Sequence, residues 1–299
     1  MSQPKISVLM PVHNGAPFIE EAIRSILQQR YQNFELLIID DGSYDHTHAI
    51  ATRISRDDPR VQVLFQEKAG IAAALNRGIS QANGRYLARM DADDIAHPMR
   101  FSIQLERMEA DPRLVACGTD IVKFGRSLQY VSTPSTNEEC KALLMIESCF
   151  AHPTVMMRAQ VIQQRSLQYR SDDKYVEDYR LWTELSTYGE FANISLPLLR
   201  YRIHSDRKGN RRTECQRDAH VRIASEMLGR HGCSVQAGKL REFLWPSDSG
   251  VRKAIEYFLS TGVLAESINA TAPNCEWLRV RTRRIRVRNM VKMAVRKNV

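Results

Sequence analysis

Cysteine is scarce in this sequence, and its six cysteines include no CxxC pair. This pattern favours reduced thiols in a cytosolic protein over a disulfide framework or a zinc site. No apolar run approaches the roughly 18 residues that a transmembrane helix requires, which excludes such a helix. The N-terminus leads directly into an apolar run at residues 6–10, so we expect no signal peptide.

The chain has little net charge except in its C-terminal tail. The net charge is +9, and residues 275–299 alone contain nine Lys or Arg and one Glu. Residues 274–296 have the pattern of a basic amphipathic helix. Three interpretations are open: binding to an anionic membrane surface, binding to nucleic acid, or packing as a solvated helix.

The remaining chain has the pattern of an α/β protein. Strand-like apolar runs alternate with helical patterns over residues 6–90, which predicts βαβ units and a parallel sheet. From residue 211 to 264 the pattern is helical. We therefore expect a first domain over residues 1–205 and a helical C-terminal extension over residues 206–299.

Polar side chains follow three of the predicted strands at the point where each strand ends. They are His13 and Asn14 after the first strand, Asp40 and Asp41 after the second, and Asp91 and Asp93 after the fourth. Ligands of parallel sheets bind beyond the carboxyl ends of the strands. We therefore expect these side chains to converge on one edge of the sheet.

The acidic stretch Asp91-Ala92-Asp93-Asp94 permits two interpretations. Its three carboxylates repel one another, and a divalent cation with a phosphate-bearing ligand would offset that repulsion. Alternatively, the stretch is a solvated turn in which Asp94 caps the next helix. The convergence of the other strand ends favours a ligand site.

Further motifs follow downstream. They include a strand over residues 114–124 with a turn at Gly118, and an acid pair, Glu177 and Asp178, at the start of a helix. The helix dipole favours carboxylates at that position. A last strand-like run ends in Tyr201-Arg202-Ile203-His204.

Seven motifs occur in order along the chain. They are Pro11-Val12-His13-Asn14-Gly15, Asp40-Asp41-Gly42-Ser43, the spacing of Gly70, Asn76, Gly78, Ala82 and Gly84, Asp91-Ala92-Asp93-Asp94, His152-Pro153, Glu177-Asp178-Tyr179-Arg180-Leu181-Trp182 and Tyr201-Arg202-Ile203-His204. Together they resemble family 2 glycosyltransferases of the GT-A fold, of the bacterial surface-polysaccharide and lipopolysaccharide type. The resemblance covers about residues 5–204, and residues 211–299 contribute no motif. It implies a Rossmann-like, mixed and mostly parallel sheet flanked by helices.

The resemblance also implies the reaction and the site residues. A hexose or N-acetylhexosamine would pass from a UDP-sugar to a hydroxyl of a glycan acceptor, with inversion and with Mn²⁺ or Mg²⁺. Asp178 would be the catalytic base, with Glu177 either hydrogen-bonded to the acceptor or capping the helix, and Asp93 the metal ligand. His204 is either a second ligand or a structural histidine. The residues implied for nucleotide-sugar binding are Pro11, Val12, His13, Asn14, Asp41 (accepting from uracil N3–H), Asp91 and Ala92.

The resemblance favours the membrane interpretation of the tail, because related enzymes act on polyprenyl-diphosphate-linked acceptors. We expect a cytoplasmic protein, peripheral on the inner membrane, with no nucleic-acid partner. Two alternatives stay open. A nucleotidyltransferase would need a Gly/Arg-rich loop after the first strand, and residues 11–15 contain no Arg. A non-catalytic sugar- or nucleic-acid-binding protein gives no reason for the acidic strand ends.

Overall fold

The computed structural model describes residues 4–204 and 214–246, together with residues 265, 266, 268–270, 282, 283 and 285. Residues 247–264 of the predicted helical pattern and nearly all of the basic helix predicted at 274–296 lie outside the described residues. The chain forms two compact units: Met1–Thr136 with Phe150–Arg211, and Asn137–Cys149 with Arg212–Val299. The second unit includes residues 137–149, which the sequence prediction assigned to the first domain.

The first unit begins with the predicted alternation of strands and helices. The elements are β1 (Ile6–Val12), α1 (Ile19–Leu27), β2 (Phe34–Asp41), α2 (Thr47–Asp57), β3 (Val61–Gln66), α3 (Ile71–Gln81) and β4 (Tyr86–Arg89). Strands β1, β2 and β4 are buried along their whole length, which explains their continuous apolar runs. Parallel pairing joins β1 to β2 and β4, and β2 to β3.

Helices cover both faces of this parallel half. Val8 and Met10 point into one core cluster with Ile23 of α1. On the other face α3 lies so close that a Cβ on Gly78 would meet Ile39 and Leu9 at 2.9 and 3.1 Å. The loops after β1, β2 and β4 therefore open at one edge of the sheet, as predicted.

The second half of the sheet is mixed. In chain order the next elements are β5 (Ile95–Ala96), α4 (Arg100–Ala110), β6 (Leu114–Gly125), β7 (Gln129–Val131), α5 (Asn137–Leu143, which belongs to the second unit), β8 (Met156–Arg158), α6 (Ala159–Gln164), α7 (Glu177–Leu185) and β9 (Glu190–Ile203), with short 3-10 turns at His152–Thr154 and Ser171–Asp173. The described strands lie in the order β3-β2-β1-β4-β8-β6-β9-β5, with β7 paired to β6. Strand β8 runs antiparallel to β4 and β6, whereas β9 runs parallel to β6.

The prediction of a turn at Gly118 is wrong, because β6 continues through this residue. A Cβ at this position would lie 2.1 Å from Oδ1 of Asn193 and 2.7 Å from Cδ1 of Phe150. The glycine is therefore required because the side chains of Asn193 and Phe150 leave no room for a Cβ, and not because the chain changes direction.

Replacing Gly118 by Ala is expected to lower the free energy of unfolding by about 1–3 kcal/mol, the usual cost of overpacking a core. Thermal unfolding of the two chains measures this. Gly229→Ala serves as control, because a Cβ there meets no atom within 4 Å. A Gly118→Ala chain as stable as the native one would contradict this account of β6.

The second unit contains α5, α8 (Glu214–Arg230) and α9 (Ala237–Leu244). Its interior includes Leu228, Leu240 and Phe243. The buried His220 donates a hydrogen bond of 2.7 Å from Nε2 to the carbonyl of Ile146, which ties α8 to the 137–149 segment. Among the described residues no helix combines the length and apolarity needed to span a bilayer.

Candidate active site

The loops after β1 and β2 are bonded to each other. Asn14 adopts a left-handed conformation with φ of 54°, which asparagine tolerates. Its backbone N–H donates to Ser43 Oγ at 2.9 Å, and its Oδ1 accepts from the Tyr44 N–H at 3.0 Å. Residues 11–14 are thus held in place by the 43–44 segment.

Asp41 connects the end of β2 to the start of α3. Its carboxylate accepts backbone hydrogen bonds of 2.8 Å from Ala69 and from Gly70, and a third of 2.7 Å from Gln66 Nε2. Only 5% of this residue is exposed. A carboxylate offers about four lone-pair sites, so capacity for one further donor remains.

His13 lies beside Asp41 in a defined tautomer. The Asp41 carbonyl can only accept, so His13 Nδ1 carries the proton at 2.8 Å and Nε2 accepts from Lys68 Nζ at 2.8 Å. Asp40, in contrast, is fully buried and bonded to the Ser43 N–H and His48 Nδ1. Asp40 therefore stabilises the strand end.

A cavity of about 750 Å³ opens at this edge. Residues from the ends of β1 and β2, from the loops after β1 and β3, and from the 170–177 segment line it. They include Pro11, Val12, His13, Asp41, Lys68, Lys174, Tyr175 and Glu177. Of the other predicted site residues, Asn14, Asp91, Ala92, Asp93, Asp178 and His204 do not line this cavity.

The acidic stretch forms a cluster after β4. One carboxylate oxygen from each of Asp91, Asp93 and Asp94 lies within 4.8 Å of the others. Asp93 Oδ2 lies 3.0 Å from His204 Nε2. The interpretation of Asp94 as a helix cap is wrong. Helix α4 begins five residues beyond Ile95, at Arg100, and the buried Asp94 carboxylate accepts the Arg202 N–H at 2.8 Å.

Two buried arginines lie beneath the acidic cluster, and sequence reasoning missed both. Arg89 Nη1 lies 2.6 Å from Asp91 Oδ1, and Arg100 Nη2 donates to the Arg89 carbonyl at 2.7 Å. Burial lowers the pKa of Arg100 to about 9. At Arg89 burial also acts to lower the pKa, but the charge and hydrogen bond of Asp91, together with the charges of Tyr169 and Asp94, raise it overall. Their positive charges offset part of the repulsion among the carboxylates.

The end of β9 positions His204 against the acidic cluster. Strand β5 pairs with β9 through Ile95 and Arg200, which brings residues 202–204 alongside Asp93. Arg202 Nε donates to the Asp93 carbonyl at 2.8 Å, and its guanidinium lies 4.8 Å from the centroid of the Phe18 ring. The same ring lies 4.9 Å from that of His204. Arg202 and Phe18 therefore orient the imidazole.

The acid pair begins α7, as predicted, and only Glu177 lines the cavity. Burial raises the pKa of Glu177 to about 7, and the neighbouring charge of Asp178 acts in the same direction. The Trp182 ring is fully buried, 5.3 Å from Phe150 and 5.8 Å from His152. Trp182 is thus part of the core.

The raised pKa of Glu177 predicts a pH-dependent stability. The folded chain binds this proton more tightly than the unfolded chain, whose ordinary pKa is 4.5. Below pH 4.5 this proton contributes on the order of 3 kcal/mol to the free energy of unfolding. The contribution decreases between pH 4.5 and about 7 and is lost above that.

Glu177→Gln removes this titration, so its stability relative to the native chain is expected to rise as the pH increases through the same window. Thermal unfolding midpoints of both chains, measured in metal-free buffer at about pH 5 and about pH 8, test this. A difference between the chains that is the same at both pH values would contradict the assigned shift.

The fold is that of GT-A glycosyltransferases. Staphylococcus aureus TarS 1–349 in complex with UDP-GlcNAc superposes with a TM-score of 0.61 and 16% identity, over 97% of this chain and 89% of that one. The mannosyltransferase PcManGT from Pyrobaculum calidifontis, in complex with GDP-Man and Mn²⁺, gives 0.56 and 17%, over 98% and 88%. The predicted fold class is confirmed.

Sequence comparison defines the family. The family model for glycosyl transferase family 2 matches residues 7–166. The O-antigen biosynthesis glycosyltransferase WbnJ of Escherichia coli is 31% identical over 231 residues, which is 75% of this chain and 87% of WbnJ. The chain therefore belongs to glycosyl transferase family 2, as the motifs predicted.

Proposed function

We propose that this chain transfers a hexose or N-acetylhexosamine from a UDP-sugar to a hydroxyl of a glycan acceptor, with inversion, in surface-polysaccharide synthesis. The main support is that Val12, His13 and Asp41 line the same cavity as Glu177, which is distant from them in sequence. The O-antigen role in the name of WbnJ and the UDP-GlcNAc bound by TarS support this donor and setting.

The donor nucleotide is proposed to bind along the loops after β1, β2 and β4. Residues 11–14, Asp41, Asp91 and Ala92 are the assigned contacts. Asp41 retains the capacity to accept one more hydrogen bond, as from a uracil N3–H. Lys68 donates to His13 from a position on the cavity lining, where its ammonium group favours an anionic ligand.

The residues of the acidic cluster fit a divalent cation. The Asp93 carboxylate and the His204 imidazole lie 3.0 Å apart and are the assigned ligands, while Asp91 is paired with Arg89 and Asp94 accepts the backbone N–H of Arg202. A set that includes an imidazole suits Mn²⁺ better than Mg²⁺. When bound, the cation would stabilise the charge of the leaving diphosphate as a Lewis acid.

The acceptor hydroxyl is proposed to lose its proton to Asp178. A single base with direct attack on the donor inverts the anomeric centre. Such base catalysis contributes roughly 10²–10⁴-fold to the rate. Glu177, with its pKa of about 7, is partly protonated near neutral pH and is assigned a hydrogen bond to the acceptor.

The acceptor is proposed to be lipid-linked, with the chain peripheral on the cytoplasmic face of the inner membrane. The nine basic residues within 275–299 support an attraction to anionic lipid, worth about 1 kcal/mol for each one near the surface.

A donor panel tests the proposed function. UDP-Glc, UDP-Gal, UDP-GlcNAc and UDP-GalNAc are incubated with the full chain and Mn²⁺, and UDP release is measured, with GDP-mannose as the counter-example. One UDP-sugar is expected to be cleaved in preference to the others. Cleavage of GDP-mannose alone would replace the proposed donor, and cleavage of none would argue against the proposal.

A further inference from the structure

The backbone of Tyr175 is strained. Its φ is 69°, in the left-handed region that residues other than Gly, Asn and Asp rarely adopt. Among the described non-glycine residues, Asn14 and Ser166 also have positive φ, but Tyr175 alone carries a large ring there. Strain of this kind persists where the surroundings impose it, and it is concentrated at functional sites.

The surroundings of this turn are rigid. Arg180 Nε lies 3.1 Å from Asp173 Oδ2 in a buried ion pair that fastens the turn to α7. The Asp173 carbonyl accepts the Val176 N–H at 2.9 Å. Tyr175 lies two residues before Glu177, the first residue of α7. The strained conformation thus connects the ring of Tyr175 to the placement of Glu177.

The ring of Tyr175 faces the cavity. It is 41% exposed and lines the same cavity as Val12, His13 and Asp41, with Lys174 Nζ 5.4 Å from its centroid. The residue with the strained backbone therefore presents an aromatic ring to the cavity that Val12, His13 and Asp41 also line.

We propose that Tyr175 is the stacking platform for the nucleobase of the donor. This rests on the proposed function, because it assumes that a nucleotide occupies the cavity. Aromatic side chains stack on any base, whereas hydrogen bonds select one base. Tyr175 supplies the stacking and Asp41 the hydrogen bond. A base stacked on Tyr175 covers the exposed ring and stabilises the turn that positions Glu177. Donor binding thereby fixes the residue that is assigned to the acceptor.

Calorimetric titration of the full chain with UDP, and separately with inorganic pyrophosphate, tests the stacking. Tyr175→Ala is expected to weaken UDP binding about tenfold and to leave pyrophosphate binding within about twofold, because pyrophosphate has no base. Tyr175→Phe keeps the aromatic face and is expected to bind UDP within about twofold of the native chain. Tyr188→Ala is the matched control, since Tyr188 is 43% exposed and also lies under a cation, Arg165.

Tyr175→Gly separates the ring from the backbone. Glycine tolerates the positive φ, so this chain is expected to unfold at a higher temperature than Tyr175→Ala yet bind UDP as weakly. Recovery of UDP binding in Tyr175→Gly would overturn the stacking role, and so would equal losses for UDP and pyrophosphate in Tyr175→Ala. Native UDP affinity in Tyr175→Ala would overturn it while leaving the proposed function intact. If the native chain bound no UDP, the proposed donor would fail first and the inference with it.

Discussion

Asp178→Asn is expected to abolish sugar transfer while UDP-sugar binding stays within about twofold of the native value. Asparagine has the same shape but cannot accept the acceptor proton, so the rate should fall by roughly 10²–10⁴-fold. Asp178 does not line the cavity that we assign to the nucleotide, so donor affinity should be retained. Transfer is measured with the donor that the panel selects, and donor binding by titration calorimetry.

Two variants give this result its meaning. Asp172→Asn removes an exposed carboxylate in the 3-10 turn just before α7 and should turn over normally. Glu177→Gln removes the other acid of the pair and should reduce transfer less than Asp178→Asn. Normal turnover by Asp178→Asn would refute the assignment of the base, and a larger loss in Glu177→Gln would move that role to Glu177.

The parallel half of the sheet was predictable because its information is local. Strands buried on both faces need continuous apolar runs, and β1, β2 and β4 have them. Their loops must then open at one edge. The contacts between His13, Asp41 and Lys68 follow from that topology.

The mixed half depends on pairings between distant segments that no local pattern encodes. The short strand β5 reads as a loop in sequence, and only its pairing with β9 makes it a strand. The partner of Asp94 is the backbone of Arg202, more than 100 residues away, so a helix cap was the obvious local interpretation. Arg89 offered one usable signal, since an arginine inside a buried run needs a nearby charge.

The sequence could not show which acid of the pair Glu177 and Asp178 faces the cavity. Consecutive residues of a helix point about 100° apart, so only one of two adjacent acids faces a given cavity. The structure places Glu177 on the cavity lining. Which face of α7 meets the cavity depends on the buried Arg180–Asp173 pair, a tertiary contact.

Asp93→Ala is expected to abolish cation-dependent release of UDP, a loss of at least about 100-fold, and to remove Mn²⁺ binding measured by electron paramagnetic resonance without donor. The Asp93 carboxylate contacts His204, whereas the Asp93 backbone carbonyl accepts a hydrogen bond from Arg202. The substitution deletes the first contact and preserves the second. The thermal unfolding midpoint should therefore stay close to that of the native chain.

Asp94→Ala provides the contrast, and Asp57→Ala the control. The Asp94 carboxylate is buried and accepts the Arg202 N–H, so its loss should lower the unfolding midpoint by leaving a buried donor unsatisfied, at about 1–3 kcal/mol. Asp57 is exposed at the end of α2, and its loss should affect neither the unfolding midpoint nor Mn²⁺ binding.

Native Mn²⁺ affinity in Asp93→Ala would mean that Asp91 and Asp94 hold the cation. Arg89 would then have to release Asp91, and Arg89→Lys, which cannot form the same planar contact, would be the variant that changes cation affinity.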